Sequence, residues 1–75
     1  MIIDHLEQAE RHVRQGAVHL QNQRALIERL ETGGHDTKES RRLLQQFEEM
    51  QALHVGDRDR LRETLAQSDL DMIRD

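Results

Sequence analysis

Apolar and small residues recur along the first half of the chain at alternating steps of four and three. This heptad pattern is typical of an α-helix that packs lengthwise against another helix. It predicts a first helix over residues 3–31. The positions are Ile2, Leu6, Ala9, Val13, Gly16, Leu20, Gln23, Ile27 and Leu30, with Gln23 as the polar member.

The second half repeats a helical spacing less regularly, because Asp57 and Arg58 interrupt its apolar stripe. It predicts a second helix over residues 37–66, followed by a tail, 67–75, that either extends the helix or frays. No alternating run of β-branched or aromatic residues predicts a strand. The stripe consists of Leu43, Leu44, Phe47, Met50, His54, Leu61 and Leu65.

The adjacent glycines Gly33 and Gly34 divide the two segments and predict a turn over residues 32–36. We expect Gly33 to adopt the left-handed conformation that ends many helices. Asp36, with Glu39 three residues later, resembles a capping arrangement at the start of the second helix. His35 has no evident ligand partner nearby, so we expect it to be solvated.

Two long helices joined by a short turn predict an all-α antiparallel hairpin, similar to a coiled coil. A turn centred near residue 35 pairs positions whose numbers sum to about 70. This register is expected to place Ile27 against Leu43, Leu20 against Met50, Ala9 against Leu61 and Gly16 against His54.

The 75 residues allow one domain, spanning 1–75, and a pair of helices cannot enclose a core. We therefore predict a homodimer that forms a four-helix bundle. The same apolar positions would serve as core and interface. They are Leu6, Val13, Leu20, Ile27, Leu30, Leu43, Leu44, Phe47, Met50, Leu61 and Leu65.

Composition narrows the classes of partner. The net charge of -4 argues against a nucleic-acid partner, and the absence of cysteine excludes disulfides and thiolate ligands. The chain has no apolar run of membrane-spanning length, and its Met-Ile-Ile-Asp-His start does not resemble a signal peptide. We expect a cytoplasmic protein with no nucleic-acid or membrane partner and no cofactor.

Histidine is the most distinctive residue type. His5, His12 and His19 recur every seven residues beside the first apolar seam, and His54 lies within the second stripe. Histidines seven apart on one helix are about 10 Å apart, which is too far to share one metal ion. We interpret His5, His12 and His19 mainly as a polar flank of a bundle interface, and His54 as a histidine at the edge of the core that bonds to Asp57 or to a carbonyl. Metal ligation, in which a facing chain brings His5 or His12 near another histidine, and a pH-responsive interface are the alternatives.

No pattern indicates catalysis. The segment His12–Gly16 resembles the His-x-x-Lys-Gly motif of histidine phosphotransfer domains, but Gln15 replaces the lysine. The arginines near residue 60 are balanced by acidic neighbours, which favours a solvated helix face. Neither Ser40 nor Ser68 has the neighbours of a nucleophile. We predict that the protein is not an enzyme.

Three segments carry a resemblance to a known group. They are residues 30–37 (Leu-Glu-Thr-Gly-Gly-His-Asp-Thr), 43–48 (Leu-Leu-Gln-Gln-Phe-Glu) and 53–61 (Leu-His-Val-Gly-Asp-Arg-Asp-Arg-Leu). Over roughly residues 4–66 the chain resembles short, uncharacterised bacterial helical-hairpin proteins with a Gly-His-Asp-Thr turn. The resemblance implies a hairpin and a bacterial cytoplasmic setting, and it implies no activity. The second glycine of the turn and Gly56 depart from the pattern of that group.

These observations predict a small non-enzymatic protein that acts through self-association and contact with a protein partner. The alternative is a small metal- or pH-responsive sensor that uses the histidines on the helix flanks.

Overall fold

The computed structural model describes the backbone of residues 1–73 and the side chains of residues 1–68. α1 spans Ile2–Thr32 and α2 spans Lys38–Ile73, and residues 1–73 contain no strand. The predicted all-α hairpin is therefore confirmed. α1 matches its predicted bounds to within one residue at each end.

α2 differs from its prediction at its C-terminal end, because it continues beyond residue 66 to Ile73. No glycine or proline follows Gly56, so the sequence contains no residue that would break the helix there. The expected tail is thus helical through residue 73, and residues 74–75 lie outside the described part.

The hairpin is a rod of 65 × 15 × 14 Å with a radius of gyration of 17.8 Å. A compact chain of this length would have a radius of gyration of about 11 Å. The elongation follows from the two helices, whose lengths are about 46 Å and 54 Å at 1.5 Å per residue. Every level of the rod therefore has only two helices with which to exclude water.

The turn begins with a Schellman motif. His35 N donates to Leu30 O at 2.8 Å, and Gly34 N donates to Glu31 O at 3.1 Å. Gly34 has φ 73, whereas Gly33 remains right-handed at φ -80. The expectation that Gly33 adopts the left-handed conformation is thus wrong by one residue. The motif needs positive φ at the second residue after α1, and that residue is Gly34.

Asp36 accepts a hydrogen bond from one of the free backbone N–H groups at the start of α2, whereas Glu39 makes no reciprocal bond to the turn in the described structure. Asp36 Oδ1 accepts a hydrogen bond from the backbone N–H of Lys38 at 3.0 Å. Thr37 O then accepts from Arg41 N at 2.9 Å and begins the helical ladder. Glu39 is the other residue of the expected cap. Its Oε1 lies 3.5 Å from Nη1 of Arg42, also in α2. The turn therefore holds both helix ends through local bonds.

The seam between the helices is only partly closed. Among the described side chains, those classed as buried are Ala9, Gln23 and Ile27. Leu43 and Met50, which we predicted as core or interface, are exposed in the hairpin. They lie on one side of the seam, next to Leu44 and Gln51, which are half-buried. The other predicted core residues are half-buried: Leu6, Val13, Leu20, Leu30, Leu44, Phe47, Leu61 and Leu65.

The register differs from the predicted one by about one helical turn at mid-height. Gly16 lies against Gln51 rather than His54, and the His54 ring lies against His12. The His19–Phe47 stacking follows the same shifted register, and Ala9 and Leu61 line one groove together with His5 and Asp57.

Two glutamines link the helices in both directions. Gln51 Nε2 of α2 donates to Val13 O of α1 at 2.8 Å. Gln23 Nε2 of α1 donates to Ser40 O of α2 at 2.9 Å. A buried amide is costly unless it is hydrogen-bonded. These two bonds therefore fix the position of one helix along the axis of the other. The register therefore depends on amide–carbonyl contacts as well as on apolar packing.

Candidate functional site

One long side of the hairpin gathers most of the histidines and two exposed apolar residues. Grooves along it are lined successively from both helices. We call this side the histidine flank. It consists of His5, His12, His19 and Leu26 from α1 and of Leu43, Phe47, Met50, His54 and Asp57 from α2.

The seven-residue spacing of α1 brings its histidines to this flank, and α2 supplies their ring partners. The ring centroids of His12 and His54 lie 5.2 Å apart with a tilt of 46°. His19 stacks on Phe47 with a centroid separation of 5.8 Å and an interplanar angle of 28°. Two of the histidines beside the seam, His12 and His19, therefore form cross-helix ring contacts.

Two grooves meet at His12. The first, of about 180 Å³, lies beside Gly16 and is bounded by His12, His19 and His54. The second, of about 530 Å³, continues towards His5 and Asp57. Both are open to solvent along the rod, so they present a surface rather than an enclosed pocket.

On the opposite side of the hairpin, two exposed ion pairs cross the seam between the helices. Arg41 Nη2 pairs with Glu31 Oε1, and Arg62 Nη2 lies 3.9 Å from Glu10 Oε1. These pairs join the helices near the turn and near the start of α1. The histidine flank also carries ion pairs, Arg60–Asp57 and Arg42–Glu39, but these lie within α2, beside its imidazole, thioether and leucine side chains.

Of the candidate metal ligands, the structure brings His12 and His54 together. His5 lines the next groove, His19 contacts Phe47, and Asp57 is paired with Arg60. Within the described residues, no group of three or more His, Cys, Asp or Glu side chains could hold a metal ion. A single hairpin therefore offers two imidazoles at one point.

Sequence reasoning missed the role of Gln51. Its amide packs on α1, and its Oε1 is buried without a hydrogen-bond partner. The signal was available, because Gln51 falls in register with Leu44, Phe47 and His54 at steps of three and four. A polar residue at a seam position marks a side chain that must reach the facing backbone.

No family model, curated protein or solved structure shows a significant match to this chain. Within the residues described, neither helix contains a segment apolar and long enough to cross a membrane. The fold and this surface define the class of protein as an α-helical hairpin with two chemically distinct sides.

Proposed function

We propose that the hairpin is a non-enzymatic self-association module in which two copies pack through their histidine flanks into a four-helix bundle. Its role is contact with protein, first with its own copy and then with a protein partner. The resemblance to bacterial helical-hairpin proteins supports a bacterial cytoplasmic setting for this activity.

The surface area of the hairpin supports a second copy. The chain of 8.9 kDa exposes 6059 Å². A compact monomer of that mass would expose about 4800 Å². The excess of roughly 1200 Å² exceeds the ~800 Å² that each partner buries in an interface of standard size. Contact with one further hairpin can therefore bury most of this excess surface.

The observation that carries the proposal is the contrast between the two sides of the rod. On the histidine flank, Leu43 is 40% exposed and Met50 is 54% exposed. On the other side, the Arg41–Glu31 and Arg62–Glu10 pairs cross the seam. Covering the opposite side would desolvate the two pairs that cross the seam. Covering the histidine flank removes the apolar atoms of Leu43 and Met50 from water, beside the Asp57–Arg60 and Glu39–Arg42 pairs within α2. The exposed Leu43 and Met50 side chains support the histidine flank as the surface that a second copy covers.

Sedimentation of the full-length chain and of two matched variants tests this proposal. Met50→Glu places a charge in the histidine flank, and Val18→Glu places the same charge outside it. The two parent side chains are almost equally exposed, at 54% and 53%. We expect the parent and Val18→Glu to sediment as dimers at micromolar concentration. Met50→Glu should dissociate, because a buried unpaired carboxylate is costly.

A folded parent chain that sediments as a monomer would contradict self-association. A dimer weakened equally by both variants would contradict the histidine flank as the interface. Far-UV circular dichroism of each variant shows whether the helices remain formed, which separates lost association from lost folding.

A further inference from the structure

We propose that His12 and His54 form a two-imidazole clip for a first-row transition-metal dication such as Zn²⁺, and that two clips in the dimer complete one four-imidazole site. The clip follows from the geometry of one hairpin. The shared site rests on the proposed dimer through the histidine flank.

The separation of the two rings fits chelation. Their centroids are 5.2 Å apart. For Zn–N bonds of about 2.0–2.1 Å and a tetrahedral angle at the metal, the centroids of two ligating imidazoles lie roughly 5 Å apart. In the hairpin these rings therefore lie at the spacing that a shared ion needs.

The surroundings of the pair leave room for an ion and further ligands. His12 is exposed, His54 is half-buried, and both line the groove of about 180 Å³ beside Gly16. His12 also lines the adjoining groove of about 530 Å³. Neutral imidazole suits Zn²⁺, Cu²⁺ and Ni²⁺ better than the hard cations Mg²⁺ and Ca²⁺.

One hairpin cannot complete the coordination shell. Asp57 lines the groove beside His12, but its carboxylate is paired with Arg60. No third ligand among the described residues joins the two histidines. The remaining positions of a tetrahedral ion must therefore come from water or from another chain.

The height of the pair on the rod favours a second copy as the source. His54 lies about 24 Å from the start of α2 at Lys38 and about 28 Å from its end at Ile73, at 1.5 Å per residue. A two-fold axis through this level would overlay two antiparallel hairpins along nearly their whole length. The same axis would bring both clips together, because residues on a two-fold axis meet their own copies.

Zinc and cobalt titrations of the untagged, chelator-treated chain test the inference. We expect saturation at about one ion per two chains and the intense visible absorption of tetrahedral Co²⁺. His12→Ala and His54→Ala should each weaken Zn²⁺ binding at least about tenfold. His35→Ala, in the turn and away from the histidine flank, is the matched control that should leave the affinity within about twofold.

Several outcomes would overturn the inference. Absence of binding, or equal binding by the parent, His12→Ala and His54→Ala, would show that the rings only pack together. Saturation at one ion per chain with the weak spectrum of octahedral Co²⁺ would refute the shared site. If an alanine variant loses helicity, His12→Gln and His54→Gln replace it, because glutamine retains side-chain bulk.

Failure of this inference is distinguishable from failure of the proposed function. A chain that sediments as a dimer in the presence of a chelator but binds no zinc supports self-association and refutes the metal site. A chain that is monomeric with chelator and dimeric with half an equivalent of zinc supports the metal site and refutes metal-independent dimerisation.

Discussion

The side-chain amide of Gln51 lies against Gly16, in the space that a Cβ atom would occupy at that position. An ideal Cβ on residue 16 would be 2.7 Å from Gln51 Cδ and closer still to Oε1. The Cα–H of Gly16 therefore points towards the buried Oε1, which has no other partner. Such Cα–H···O contacts are weakly favourable. This glycine allows the amide to reach Val13 O.

Gly16→Ala should therefore stabilise the hairpin by a smaller amount than Gly56→Ala. Alanine inside a helix gains about 1 kcal/mol over glycine. At residue 56 the new Cβ would meet only Arg60 Nη1, at 3.5 Å, so the gain should be realised. At residue 16 the Gln51 amide must move and lose its bond to Val13 O. This loss costs about 1 kcal/mol and offsets the gain from alanine. Thermal unfolding of both variants measures the difference.

A double-mutant cycle isolates the contact. In a Gln51→Ala background, Gly16→Ala should become stabilising by about 1 kcal/mol, because no amide remains to be displaced. Equal effects of Gly16→Ala with and without Gln51 would show that the two residues are not coupled.

Gly34→Ala should destabilise the hairpin by about 1 kcal/mol, because φ 73 places an alanine Cβ against the backbone. Gly33→Ala is the matched control. Gly33 has right-handed backbone angles, and its Cβ would meet the movable His35 ring. The control should be nearly neutral in chemical denaturation. A larger loss at residue 33 would contradict the Schellman assignment.

Asp36→Ala should cost on the order of 1 kcal/mol, because the N–H of Lys38 loses its side-chain acceptor. Asp36→Asn should cost less, since asparagine caps helices nearly as well. His35→Ala should matter little, because His35 contributes its backbone N–H to the turn and its side chain is exposed. Melting curves at neutral pH compare the variants. A larger effect of His35→Ala would contradict the capping account.

Phe47→Ala should destabilise the hairpin by about 2 kcal/mol, less than the 3–5 kcal/mol typical of a fully buried ring. The ring is half-buried and loses its stacking on His19 when truncated. Phe47→Leu keeps most of the apolar volume and should cost less than half as much. Unfolding in urea at low and high protein concentration would show whether part of the loss comes from the interface. An unchanged unfolding midpoint for Phe47→Ala would show that the Phe47 ring does not pack in the seam.

Much of this fold could be predicted locally. The heptad steps from Ile2 to Leu30 predict α1, and the adjacent glycines predict the turn, because helix formation and helix ends depend on residues within one or two turns. The Asp36 cap is equally local, since its acceptor and donor are two residues apart. The sequence leaves the end of α2 open between extension and fraying of residues 67–75, because no residue there signals a stop.

The sequence by itself determined two helices, a turn and a row of histidines beside a seam. Tertiary structure decided which residues meet across that seam. The relative height of two helices depends on long-range contacts such as Gln51 with Val13, and a heptad pattern is compatible with more than one height. A shift of one turn exchanged the expected Gly16–His54 pair for Gly16–Gln51 and His12–His54. The candidate site exists because of that shift, since it sets two imidazoles of separate helices side by side.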